Sequence, residues 1–229
     1  YTTGPLFYDV ESHTKLCIEV LNELNLKNLI LSGHSWGGLI ALDLSTQYKN
    51  DMTICMNIAY PFLVGDLLLD YAKGNLDQCV EFLMKYGIYK MPETEIKTLG
   101  FGVKGSGFYG RSKGVIKSPY GTKTVEDDPE REIKLYPLKR LFNQTEKEIS
   151  SIDLKSCTNF RLKDDQISNI QNVKYIFCDK DKLARFDAEN IILKNVNPEE
   201  DVFILKETGH FPYFEDPDQL EEVFKKILN

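Results

Sequence analysis

A serine set between glycines is the first place in this chain where residue types and spacing could do chemistry. Gly33-His34-Ser35-Trp36-Gly37 satisfies the pattern Gly-x-Ser-x-Gly, and Gly38 extends it. In a chain of this length the bare pattern arises by composition roughly one time in ten, so its setting has to carry the weight. Leu29, Ile30 and Leu31 form a short apolar run that Ser32 and Gly33 interrupt, and a helical pattern starts at Trp36. A strand that passes into a helix through so tight a turn lifts the serine hydroxyl above the sheet edge. Glycine tolerates the strained backbone and the close packing of the helix. The turn also leaves the backbone N–H of Trp36 at a helix N-terminus, free to donate to an oxyanion. Ser35 is the candidate nucleophile.

A serine hydroxyl needs a base, and the chain holds three histidines. His34 lies inside the turn, where its side chain is expected to point away. His13 belongs to an early helix that the sheet order is not expected to bring to the strand ends. His210 follows the last strand and Glu207-Thr208-Gly209, which places it in a loop at the carboxyl end of a parallel strand. The imidazole in turn needs a carboxylate to hold its tautomer. Asp179 and Asp181 both follow an apolar run that ends at Cys178, and either can reach.

The elements that must position these groups are read from periodicity. Apolar residues at three- and four-residue steps predict a helix over 8–24 that buries one face. Continuous apolar runs predict strands over 29–31, 52–59, 173–178 and 202–205, each covered on both sides as in a parallel sheet. Helices are expected over 36–48, 186–194 and 217–228. Strand, helix, strand in that order implies right-handed crossovers. From 62 to 160 the alternation is lost: an amphipathic stretch over 67–89 is followed by a glycine-rich segment and a charged one. The expected division is a core segment over 1–61, an insertion over 62–160 and a second core segment over 161–229.

The sequence Ser32-Gly33-His34-Ser35-Trp36-Gly37-Gly38 after an apolar strand, Asp181 after the next-to-last strand, and Gly209-His210-Phe211-Pro212-Tyr213-Phe214-Glu215-Asp216-Pro217 near the end resemble the α/β-hydrolase superfamily. The chain order Ser, Asp, His is also that of the superfamily. The resemblance implies an α/β fold with a mostly parallel sheet, no cofactor or metal, and a serine hydrolase acting on a carboxylic ester or related acyl bond. The alternatives are another triad reaction on the same fold (acyl transfer, carbon–carbon hydrolysis, cofactor-free peroxide chemistry) or a non-catalytic binding module. In that family the acid usually stands three residues after a glycine that closes its strand. Cys178 holds that position here, which favours Asp181 over Asp179 as the acid. The stretch from Val64-Gly65-Asp66-Leu67-Leu68 to Lys85-Tyr86-Gly87, with Ile152-Asp153-Leu154-Lys155-Ser156-Cys157, is similar to a helical cap in one bacterial-type branch. Residues Tyr1 to Pro5 resemble the end of a loop that in the family precedes the elbow. The resemblance therefore implies a chain lacking the family's first strands and the loop that supplies a second oxyanion donor.

Composition narrows the function classes. The formal charge of −7 and pI near 5.1 leave no footprint for a nucleic acid backbone. Five scattered cysteines form no CxxC pair and read as buried thiols. No apolar run approaches the length of a membrane helix, and no signal-peptide pattern opens the chain, so a cytoplasmic location is expected. Gly105-Ser106-Gly107-Phe108-Tyr109-Gly110 fits a dinucleotide pattern but follows no strand, and is read as part of a loop. Asn143-Gln144-Thr145 is a glycosylation triplet of the kind chance supplies. Aromatic residues of the insertion, Phe62, Tyr71, Phe82, Tyr86, Phe108 and Tyr109 among them, point to a small-molecule substrate with an apolar acyl or ester group.

Overall fold

The computed structural model describes residues 6–92, 129–145, 147–186, 191–193 and 196–229. Four strands, β1 (Ile30–His34), β2 (Met52–Met56), β3 (Val173–Cys178) and β4 (Val202–Leu205), pair in parallel in the order β1-β2-β3-β4. The register sets Gly33 beside Cys55, Met56 beside Ile176 and Cys178 beside Leu205. All four carboxyl ends therefore lie along one edge. Alternate residues face opposite sides: Cys55, Tyr175 and Phe177 join one apolar cluster, Ile54, Ile176 and Cys178 another. Both faces are covered at β2 and β3, as continuous apolar runs require, whereas at β1 Leu31 is buried but Ile30 and Ser32 are exposed, because β1 lies at the edge of the sheet.

Helices α1 (Val10–Leu24) and α2 (Trp36–Ser45) pack on each other, and Val10, Leu39 and Leu42 close the first face. The closing helix α10 (Pro217–Leu228) covers the second with Leu220, Val223 and Ile227. Asp9 caps α1 by accepting from Ser12 N at 2.7 Å, and Asp216 caps α10 by accepting from Gln219 N at 3.0 Å. Between β2 and β3 lie α3 (Asp66–Gly74), α4 (Leu76–Gly87), α5 (Pro129–Asn143) and α6 (Lys147–Asn159), with α3 packed against α4 and α6, and α4 against α5. Lys139 of α5 is buried between Glu81 of α4 and Glu132 of its own helix. Short helices α7 (Asp164–Ser168), α8 (Pro198–Asp201) and α9 (Pro212–Glu215) complete the chain. No helix among the described residues is long and apolar enough to cross a membrane.

Several elements differ from expectation. Strand β1 runs through Ser32 and Gly33 to His34, because these small residues still pair with β2 while leaving room for α2 above. Strand β2 stops at Met56, not at 59, because Asn57, whose N–H makes the last bond to Ile176 O of β3, takes φ 47° and turns the chain away. The stretch over 67–89 is two helices: the Asn75 backbone N–H closes α3 on Tyr71 O, and its side chain caps α4 at Gln78 N. Helix α2 ends at Ser45, not at 48, where Ser45 and Thr46 bond back to carbonyls of their own helix. The charged stretch before Arg140 is helical α5. Where a helix over 186–194 was expected, the described residues hold only a 3-10 turn, Ile191–Leu193. The apolar stripe of α1 is not a buried face: Val10 and Thr14 are buried, but Leu16, Val20 and Leu24 are exposed. That helix rests on α2 beside the edge strand β1, and among the described residues nothing lies on its outer side. The pattern at Gly105 lies outside the described residues, as do Phe108 and Tyr109.

Candidate active site

Ser35 sits at the carboxyl end of β1 with φ 53° and ψ −123°, a conformation that costs a non-glycine residue free energy and persists only where its surroundings enforce it. The enforcement is visible. Ser35 N donates to Met56 O across the end of the sheet at 2.8 Å, and Ser35 O accepts from Gly38 N at 2.9 Å to start α2. A Cβ on Gly33 would meet Gly37 O at 2.1 Å, and one on Gly38 would meet Ile58 Cγ2 at 2.3 Å. Gly37 has open space around it, so its smallness is not what the turn requires.

The serine hydroxyl lies 2.9 Å from His210 Nε2, and His210 Nδ1 lies 2.7 Å from Asp181 Oδ2. With a carboxylate oxygen as the acceptor at Nδ1, that nitrogen is the donor and Nε2 is left to accept from Ser35. The other oxygen of Asp181 accepts from Leu183 N at 2.8 Å and Ala184 N at 2.9 Å, which fixes a fully buried side chain. Asp179, the other candidate, instead pairs with Lys180 at 3.5 Å. Among the described residues, no acceptor takes the backbone N–H of Trp36.

His34 does not point away. Its Nε2 donates to His210 O at 2.7 Å, and Asn57 Nδ2 donates to the same carbonyl at 2.9 Å. Burial, with the nearby His210 adding to it, holds His34 down to about 3, so the ring stays neutral while it donates. His13 is also nearer than expected: its ring meets Trp36 edge-on with centroids 4.7 Å apart. The exposed outer face of α1 leaves its other side against α2, and His13 reaches the turn from there.

Beside Ser35 and His210 lies a cavity of about 220 Å³, walled mostly by apolar side chains, including Phe62, Leu68, Phe82, Leu83 and Leu154. Of the aromatic residues singled out above, Phe62 and Phe82 line it, while Tyr71 packs into the core between α3 and α4. Cys157 also lines it, but burial pushes its thiol up to about 12, so it is no rival nucleophile. A larger concavity of about 450 Å³ opens at the opposite, amino ends of the strands among Asp51, Asn172, Lys174 and Asp201. It contains no nucleophile and base pair. No group of three or more His, Cys, Asp and Glu among the described residues could hold a metal ion.

A model of the alpha/beta hydrolase family matches residues 3–223. The chain belongs to that family. This alpha/beta hydrolase is similar in structure to a thermophilic esterase, with a TM-score of 0.67 and 16% identity over 99% of this chain and 75% of the other. It is also similar to the enol-lactonase from Burkholderia xenovorans (0.66, 13%, 96% and 73%) and to a bromoperoxidase from Bacillus anthracis (0.65, 15%, 99% and 76%). At such identities the likeness extends to the fold alone. No curated protein matches the sequence.

One group in this hydrolase escaped the sequence reading. Glu215 is buried, and its carboxylate accepts from the backbone N–H groups of Tyr89, Lys90, Gly209 and Phe211 at 2.8 to 3.2 Å. His210 N donates to Gly87 O at 2.6 Å, and Lys90 Nζ meets Asp216 at 2.6 Å. The histidine loop and the chain leaving α4 are thus held as one unit. A buried carboxylate needs such partners, and the only local hint was its place five residues after His210.

Proposed function

We propose that this alpha/beta hydrolase cleaves a carboxylic ester or related acyl bond through an acyl-serine. The observation that carries the proposal is the unbroken hydrogen-bonded line from Ser35 Oγ through His210 to Asp181. Ser35 attacks the carbonyl carbon while its proton passes to His210 Nε2, and the carbonyl oxygen becomes an oxyanion beside the Trp36 N–H. As the tetrahedral adduct collapses, His210 gives that proton to the departing alkoxide and the alcohol leaves. Water then attacks the acyl-serine, with His210 as base, and the acid departs with Ser35 restored. Asp181 stabilises the imidazolium in both halves. Helices α3 to α6 act as a cap over the cavity, whose apolar walls suit a small substrate with an apolar acyl or alcohol portion.

Hydrolysis of p-nitrophenyl butyrate by the purified protein is the test. Ser35→Ala and His210→Ala are expected to lower turnover on the order of 10⁶-fold. Turnover unchanged in either variant would contradict the proposal. Wild-type protein inert toward a series of acyl chain lengths would favour a binding module on the same fold.

A further inference from the structure

Of the ionisable side chains that line the cavity, Ser35's reaction occupies His210, and apart from the neutral Cys157 thiol this leaves Asp153 and Lys182. Lys182 is exposed and solvated. Asp153 is different. It lies in the middle of α6, where aspartate is a poor helix former and where the apolar wall around it would suit leucine. No hydrogen bond or ion pair to its carboxylate is made by the described residues; its backbone carbonyl accepts from Ser156 Oγ at 2.7 Å. Burial raises the carboxyl from 3.8 to about 6, against the opposing influence of His13. A carboxylate held at an apolar wall without a donor is destabilising, and sites where a local rule is broken in this way are expected to be functional.

Its placement relative to the chemistry is rigid. Trp36 Nε1 donates to Ser156 Oγ at 2.7 Å, and that hydroxyl donates to Asp153 O. Two hydrogen bonds therefore tie the Asp153 turn of α6 to the residue that follows Ser35. His13, whose ring meets Trp36 edge-on, is engaged at Nδ1 by Asp9 O at 2.9 Å.

Resting on the acyl-serine chemistry above, we propose that Asp153 determines specificity. It accepts a hydrogen bond from a hydroxyl, amine or amide N–H that the substrate carries away from the scissile bond. The preferred substrate is an otherwise apolar ester with one donor group. A substrate lacking the donor leaves a desolvated carboxylate unpaired, and sites built for a donor reject such analogues strongly.

The experiment compares kcat/KM for two matched ester pairs. One pair has the hydroxyl on the acyl side (p-nitrophenyl hexanoate and 6-hydroxyhexanoate), the other on the alcohol side (butyl and 4-hydroxybutyl acetate). The wild-type protein is expected to prefer the hydroxylated member of at least one pair by about tenfold or more. In Asp153→Leu that ratio should fall to within twofold, and in Asp153→Asn it should be intermediate, because the amide keeps one acceptor oxygen. A residue that only supports the fold would change both members of a pair alike. Wild-type ratios within twofold for both pairs, or ratios unchanged in the two variants, would overturn the proposal. Fluorophosphonate labelling of the wild-type protein separates the two levels. Labelling without discrimination overturns the role of Asp153 alone, and absence of labelling overturns the acyl-serine chemistry and this proposal together.

Discussion

At the scale of single residues, the choice between two acids turns on where a carboxylate points. Asp181 has three hydrogen bonds, one of them to His210, while Asp179 meets Lys180 at the surface. If Asp181 holds the tautomer as proposed, Asp181→Asn is expected to lower kcat about 10⁴-fold, the loss that the same change causes in established serine triads. Asp179→Asn should stay within a few-fold, and steady-state kinetics on one aryl ester reads both. The other residue-scale expectation concerns stability. His34 has an ordinary pKa near 6.5 when unfolded and about 3 when folded. Between these values the unfolded chain binds a proton that the folded chain refuses, so stability falls as pH drops through that window. The loss from this group is on the order of a few kcal/mol, and none is expected above it. His34→Gln keeps a donor for His210 O but does not titrate. In urea unfolding, the stability of the wild-type protein relative to this variant should therefore decline from pH 7 to pH 4. A gap that does not change with pH would contradict the buried neutral ring.

Elements carry the backbone logic of the turn that holds Ser35. The four strands and the turn between β1 and α2 were legible because local patterns encode them: apolar runs, glycine spacing, a helical period starting at Trp36. What was not legible were features set by partners far along the chain. The end of β2 depends on Asn57 reaching the His210 loop, and the outward stripe of α1 depends on which helices flank it. The glycines of the motif also divide only in three dimensions. Gly38→Ala is expected to destabilise by about 1–3 kcal/mol through overpacking against Ile58. Gly37→Ala, in open space within the first turn of α2, should be neutral or stabilise by up to about 1 kcal/mol. Thermal unfolding of the two variants reads the difference, and equal destabilisation would contradict the packing described.

For the whole molecule, the carboxyl ends of β1, β3 and β4 bring Ser35, Asp181 and His210 together from positions 35, 181 and 210. That convergence was accessible from the order of the elements alone. The coupling between the helical segment and the core was not. Glu215 and the Gly87 carbonyl join the histidine loop to the end of α4 across more than a hundred residues, through backbone groups that sequence patterns do not mark. Trp36 likewise ties α6 to the Ser35 turn through Ser156. The molecule therefore holds His210, the cavity wall and Ser35 through shared contacts, and the chemistry proposed rests on Ser35 being reactive within that frame. The measurement that addresses this most directly is mass spectrometry of the protein after treatment with a fluorophosphonate. One adduct, on the peptide containing Ser35 and absent from both Ser35→Ala and His210→Ala, is the expected result. No adduct on the wild-type protein, or an adduct that persists in Ser35→Ala, would contradict the assignment of Ser35 as nucleophile.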